Sequence, residues 1–202
     1  MSHDKDAIKK GMLSLAKQFE GQPIDDDAKD GPQCADLSAF LIKNTTGKTI
    51  WGNAIETDNK QNIDIINENP EVEAKHVDPH ELEPGDLLVE SNGNPRVGHV
   101  SIIEKVHDDG KVTVYEQNLD NDALTSKPLG IQKHTRNVAD VDGWGQVKGG
   151  LRIEVVPLEK QWIRNPLSRR NGLGSLQRAG SRQGGASSSN SSLYDKLGMT
   201  FK

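Results

Sequence analysis

Apolar positions follow a helical period in the first fifth of this chain and a strand period further on. Ile8, Met12, Leu15, Ala16 and Phe19 recur at three- and four-residue steps, the spacing that lines one face of a helix. Residues 5–19 are therefore predicted helical, with Asp4 as the capping residue. Leu37, Phe40 and Leu41 repeat the pattern and predict a second amphipathic helix over residues 35–43. The apolar signal thins between 47 and 69, where Trp51-Gly52-Asn53-Ala54 is the one aromatic anchor, and loop with one short helix is expected. After the turn Glu83-Pro84-Gly85-Asp86 short strands are predicted, beginning at 87–90.

Residues 99–106 and 111–117 are rich in Val, Ile, Thr and Tyr, and Asp108-Asp109-Gly110 between them is a hairpin signal. Pairing Val106 with Lys111 makes partner numbers sum to 217, which sets His99 opposite Asn118 with Glu116 on the same face. A slip of one residue would throw Glu116 and Asn118 to the other face. Residues 130–136 and 151–157 predict two more strands. The fold class read from this order is α+β, with N-terminal helices packed on a small antiparallel sheet in one domain over residues 1–157.

Composition changes the picture at the C-terminus. Of the 202 residues 33% are hydrophobic, low for a chain packed throughout. Residues 158–192 hold mostly Gly, Ser, Arg, Asn and Gln and read as a flexible basic linker, while Leu193, Tyr194, Leu197, Met199 and Phe201 restore apolar character in 193–202, a segment suited to docking on a partner. Residues 160–202 carry eight bases and one acid, net +7, which leaves residues 1–159 at net −12. An acidic body with a basic tail points to an anionic partner for the tail or to plain solvation of it. No basic stretch followed by an apolar run opens the chain, and no stretch is long and apolar enough to span a bilayer, so neither a signal peptide nor a membrane span is expected.

The chemistry is sought around the single cysteine. Cys34 closes an acidic stretch in which Asp25, Asp26, Asp27, Asp30 and Asp36 crowd into twelve positions. It falls at or just before the start of the second helix, where unpaired backbone amides and the positive end of the dipole favour a thiolate. A cysteine amidase or peptidase also needs an imidazole to carry the proton and a polar group to orient that imidazole. His99 with Glu116 or Asn118 would supply both, and Gln33 with the amides at the helix start would stabilise an oxyanion. His3, His76, His80, His107 and His134 have no such context in the sequence.

These residues resemble a known family. Gln33-Cys34-Ala35-Asp36-Leu37, Pro84-Gly85-Asp86, Gly98-His99-Val100-Ser101-Ile102 and Tyr115-Glu116-Gln117-Asn118 are similar, in this order, to the CHAP domain, the cysteine, histidine-dependent amidohydrolase/peptidase of phage-type peptidoglycan hydrolases. Trp51-Gly52-Asn53-Ala54 and Val147-Lys148-Gly149-Gly150-Leu151-Arg152 extend the likeness to about residues 19–157. It implies a papain-like fold and cleavage of amide bonds in bacterial cell wall, with Cys34 as nucleophile, His99 as general base and Glu116 and Asn118 as orienting groups. Trp51 and Asn53 would line the substrate cleft. It also implies calcium held by Asp25, Asp27 and Asp36, with backbone carbonyls from Lys29 and Gly31, although Lys29 places a charge near the ion. Calcium takes several oxygen ligands, which suits clustered carboxylates in a turn-rich loop.

The resulting expectation is a peptidoglycan amidase or endopeptidase, as a virion-associated lysin or an endolysin, acting in a phage tail or at the host wall and periplasm. Bacterial peptidoglycan is the expected partner, with phage tail proteins meeting the C-terminal segment; nucleic acid is not expected. Two alternatives are an antibacterial effector amidase paired with an immunity protein and a non-enzymatic phage tail module.

Overall fold

The structure, a computed structural model, describes residues 4–91, 96–118, 130–137 and 147–164. Helix α1 (Ala7–Gln18) buries Ile8, Met12 and Ala16, and α2 (Cys34–Thr46) buries Leu37, Leu41 and Ile42. Asp4 sits just outside α1, where its carbonyl accepts from Ala7 N and its carboxylate from Asp6 N. The second helix runs one residue earlier and three later than its apolar pattern predicts. Gly47 ends it in the left-handed conformation at φ 73°, which Gly adopts without a Cβ penalty. The short helix expected between 47 and 69 is α3 (Lys60–Asn67), preceded by a single 3-10 turn at Ala54–Glu56.

Among the described residues six strands form one antiparallel sheet: β1 (Val72–Val77), β2 (Leu87–Glu90), β3 (His99–Val106), β4 (Lys111–Glu116), β5 (Gln132–Asn137) and β6 (Val147–Val155), in the order β1-β6-β2-β3-β4-β5. Strand β1 is absent from the sequence reading, because Val72, Ala74 and Val77 alternate with charged positions over too short a span to stand out. The helices cover one face, where Leu87, Val89, Val100, Ile102, Tyr115, Leu151 and Ile153 join the helical core. Leu88, Ile103, Val112 and Val114 form a smaller apolar cluster on the other.

The β3–β4 hairpin departs from the predicted register in an informative way. Val106 pairs with Val112, not with Lys111, so next to the turn the numbers sum to 218. A bulge between Ile103 and Lys105 takes up one residue, and from Ile103↔Val114 and Ile102↔Tyr115 onward the sum is 217. One inserted residue reverses the facing of everything beyond it. The bulge thus puts Glu116 back on the face of His99.

The turn at 83–86 is pinned from the sheet: fully buried Asp86 accepts from the Arg152 guanidinium and from Glu83 N, which ties the start of β2 to β6. The first residues of the expected linker, Leu158–Arg164, form a short helix, α4. The remainder of that linker and the segment 193–202 lie outside the described residues.

Candidate active site

Cys34 is the first residue of α2, as its sequence context predicts. The carboxylate of Asp36 accepts from Gln33 N at 2.8 Å and from Asp26 N at 3.3 Å, so the residue before Cys34 and the acidic loop close over the helix start. First-turn amides of a helix have no partner within it. Asp36 N turns back to Gln33 O at 3.1 Å, and the Cys34 and Ala35 amides are the donors beside the sulfur.

His99 starts β3 and is 2% exposed. Its Nε2 meets Glu116 Oε2 at 2.9 Å, and Cys34 lies near enough to the ring to favour its protonated form. Burial alone would lower the affinity of His99 for its proton. The contacts with Cys34 and Glu116 outweigh that and raise it from 6.5 to about 9. Glu116, 1% exposed, is pushed up by burial but pulled down further by His99, Arg136 and His134, to about 2. At neutral pH His99 therefore carries a proton between a sulfur and a carboxylate. The order sulfur, imidazole, carboxylate is what nucleophilic attack followed by protonation of a leaving amine requires.

Gly98 makes this placement possible. It stands at φ +68°, and a Cβ there would come within 2.7 Å of the Glu90 carbonyl and 2.8 Å of Ile55 Cβ. Ile55 N donates to Val97 O at 2.9 Å, so the loop carrying Trp51 and Asn53 is fastened directly to the approach to His99.

Residues 24–118 match the family model described as CHAP domain. Over that segment the chain is similar to the CHAP domain. No curated protein matches the chain. Among solved structures, the crystal structure of a wild type endolysin, LysIME-EF1, is similar in fold, with a TM-score of 0.59 and 19% identity over 81% of this chain and 86% of that one.

The expected site residues do not all take the parts expected of them. Asn118 stands just past β4 in the left-handed conformation at φ 55°, and among the described residues it makes no hydrogen bond to His99. Nε2 of the ring is paired with Glu116. Gln117, to which its sequence context gives no part, reaches back 84 and 93 residues. Its Nε2 donates to Gln33 O (2.8 Å) and Ile24 O (2.7 Å), and its Oε1 accepts from Ile24 N (2.7 Å). Both ends of the acidic loop are clamped to the strand that carries Glu116. His134, without a partner in the sequence reading, places Nδ1 2.9 Å from Glu116 Oε1. Register is the signal that could have found it, since β4–β5 pairing sets His134 beside Val114 and Glu116 beside Gln132.

The acidic loop brings Asp25, Asp27 and Asp36 together, with one oxygen from each within 4.8 Å of the others. Asp25 and Asp27 are exposed and Asp36 is buried. Burial chiefly, and then the charges of Asp27 and Asp25, raise the proton affinity of Asp36 above its ordinary value. Lys29 does not approach them as an ion pair; its backbone N–H donates to Asp27 Oδ1 at 2.8 Å, and Ala28, Asp30 and Gly31 all have positive φ. Beside this loop a small cavity of about 70 Å³ is lined by Asp27, Asp36, Ala39, Trp51 and Asn53. Trp51 is 64% exposed. Among the described residues no helix is long and apolar enough to cross a membrane.

Proposed function

We propose that this chain is a cysteine-dependent peptidoglycan hydrolase that cleaves an amide bond of the bacterial wall. The observation that carries the reading is the line from half-buried Cys34 to buried His99 and Glu116 at the head of α2, inside a chain segment matching the CHAP domain. A fold shared with an endolysin supports it. Cys34 Sγ attacks the carbonyl carbon as the carbonyl π electrons move to oxygen. Amides of the first turn, with Gln33, stabilise that oxyanion. His99 then gives its proton to the departing amine, leaving a thioester on Cys34. Neutral His99 next takes a proton from water, whose oxygen attacks the thioester; the acid leaves and the thiolate–imidazolium pair is restored. Glu116 stays ionised throughout and holds the ring. Trp51 offers an exposed aromatic face and Asn53 a polar contact on the substrate side of the groove.

Calcium fits the carboxylates of Asp25, Asp27 and Asp36, because three acids converge on one point and the buried one is destabilised in its charged form. Backbone carbonyls of Lys29 and Gly31 would complete the oxygen set. A bound cation would neutralise the loop and fix it against the helix that carries Cys34. The basic tail and the apolar segment 193–202 favour a virion-associated lysin over a free endolysin.

Zymography on purified cell wall tests the reading. Wild type is expected to clear the wall and Cys34→Ala to leave it intact, with chelation lowering clearing and calcium restoring it. Clearing that survives Cys34→Ala removes the mechanism, and a wild type that never clears any wall favours a tail module that only retains the fold.

A further inference from the structure

Glu116 is not the end of the polar line. Four adjacent strands contribute to one strip on the sheet face away from the helices: Glu90 from β2, His99 and Ser101 from β3, Glu116 from β4, and His134 and Arg136 from β5. Arg136 lies at its centre. Nη1 donates to Glu90 Oε1 at 2.7 Å and Nη2 to Glu90 Oε2, a two-pronged pair, while Nη2 also reaches Glu116 Oε2 at 3.3 Å and Ser101 Oγ at 3.5 Å.

We propose that Arg136, balanced by Glu90, is a positioning residue that keeps Glu116 ionised and turned toward His99. The proposal rests on the reading of Cys34, His99 and Glu116 as the reacting line. Two carboxylates, Glu90 at 3% and Glu116 at 1% exposure, are buried on this face. Without a fixed cation, desolvation and mutual repulsion would drive one of them to take up a proton. Arginine is suited to the task because its guanidinium does not lose its proton and its planar fork spans two acceptors. Its Nη2 shares Glu116 Oε2 with His99 while His134 holds Oε1, so the carboxylate is fixed from three sides and cannot rotate away from the ring. With Arg136 present, Glu90 and Glu116 are matched by Arg136 and protonated His99. The strip is neutral only when His99 keeps its proton.

A balance of this kind predicts the sign of each change. Removing the arginine leaves Glu116 harder to ionise, and an opposite charge at such range is worth about 1–3 pH units to a carboxylate. Removing Glu90 alone frees Arg136 toward Glu116, and Glu116 is then held ionised at least as firmly. The groups facing Glu116 are His99, His134 and Arg136, with Glu90 behind Arg136 and Cys34 behind His99.

Because Cys34 is the sole cysteine, the pH profile of its alkylation by iodoacetamide reads the pair directly, with no need of a wall substrate. In full-length Arg136→Met the acid limb of that profile is expected about 1 pH unit above wild type, less than Glu116 itself loses because the thiol lies farther from the charge, and in Arg136→Lys between the two. Glu90→Gln is expected to lie no higher than wild type. Glu90→Gln/Arg136→Met removes the pair together, buries no lone charge, and is the variant scored if Arg136→Met fails to fold; its limb is also expected to rise. Superimposable profiles for wild type and the double variant, with both folded by circular dichroism, overturn the proposal. His99→Ala separates the two readings. An unchanged profile in that variant refutes the Cys34–His99 pair itself, whereas a changed one together with superimposable Arg136 profiles refutes only the part given to Arg136.

Discussion

Replacing Gln117 by Leu keeps nearly the volume of a side chain that is 1% exposed while deleting its three hydrogen bonds. Each such bond contributes about 0.5–1.5 kcal/mol net, so the loss is about 3 kcal/mol if the three act independently. Water reaching the half-buried Ile24 backbone lowers it, and the Gln33 carbonyl, already accepting from Asp36 N at 3.1 Å, keeps one partner. In a domain of this size 3 kcal/mol corresponds to a fall in Tm of about 6–12 °C. The effect on the site should exceed the effect on stability, because Gln33 and Ile24 bracket the acidic loop and Gln33 directly precedes Cys34. Urea unfolding followed by tryptophan fluorescence gives the first quantity and the rate of Cys34 alkylation at neutral pH the second. The reasoning fails if Gln117→Leu unfolds within about 0.5 kcal/mol of wild type and alkylates at the wild-type rate.

Gly98→Ala should destabilise by at least the 1–2 kcal/mol that a left-handed conformation costs a side chain, and by more through the contact with the Glu90 carbonyl; thermal melts measure it. Ile102→Ala, at a fully buried position, should lose about 2–5 kcal/mol in urea unfolding while leaving the pH dependence of alkylation unchanged in shape. Stability against pH should reflect the two coupled groups. Glu116, held at about 2 against 4.5, contributes fully above pH 4.5 and loses that contribution as pH falls toward 2. His99, raised to about 9 from 6.5, contributes fully below 6.5 and loses it as pH rises through 9, so wild type should be more stable at pH 7 than at either limit and His99→Ala should flatten the alkaline side. Asp36 carries the opposite sign to Glu116: its charged form is disfavoured in the fold, so adding calcium at neutral pH should raise Tm, and Asp36→Asn should remove that response.

Much of this was legible in the chain alone. Local period and turn chemistry placed two helices, the hairpin and the cysteine at a helix start, because those features depend on residues within a few positions of one another. The acidic loop was equally plain, since five carboxylates in twelve positions need no fold to be seen. Tertiary structure decided the rest. A bulge within β3 cannot be read from hairpin propensity, yet it determines which face Glu116 presents. Neither Arg136 nor His134 stands out in Gln132–Asn137, an edge strand of mixed polar residues, until β4–β5 pairing lays it beside Glu116. Gln117 spans 84 residues to hold the loop that precedes Cys34. Side-chain identity and short-range period supplied the parts of the site; strand register and long-range hydrogen bonds, set by which apolar faces the sheet buries, decided which of those parts meet.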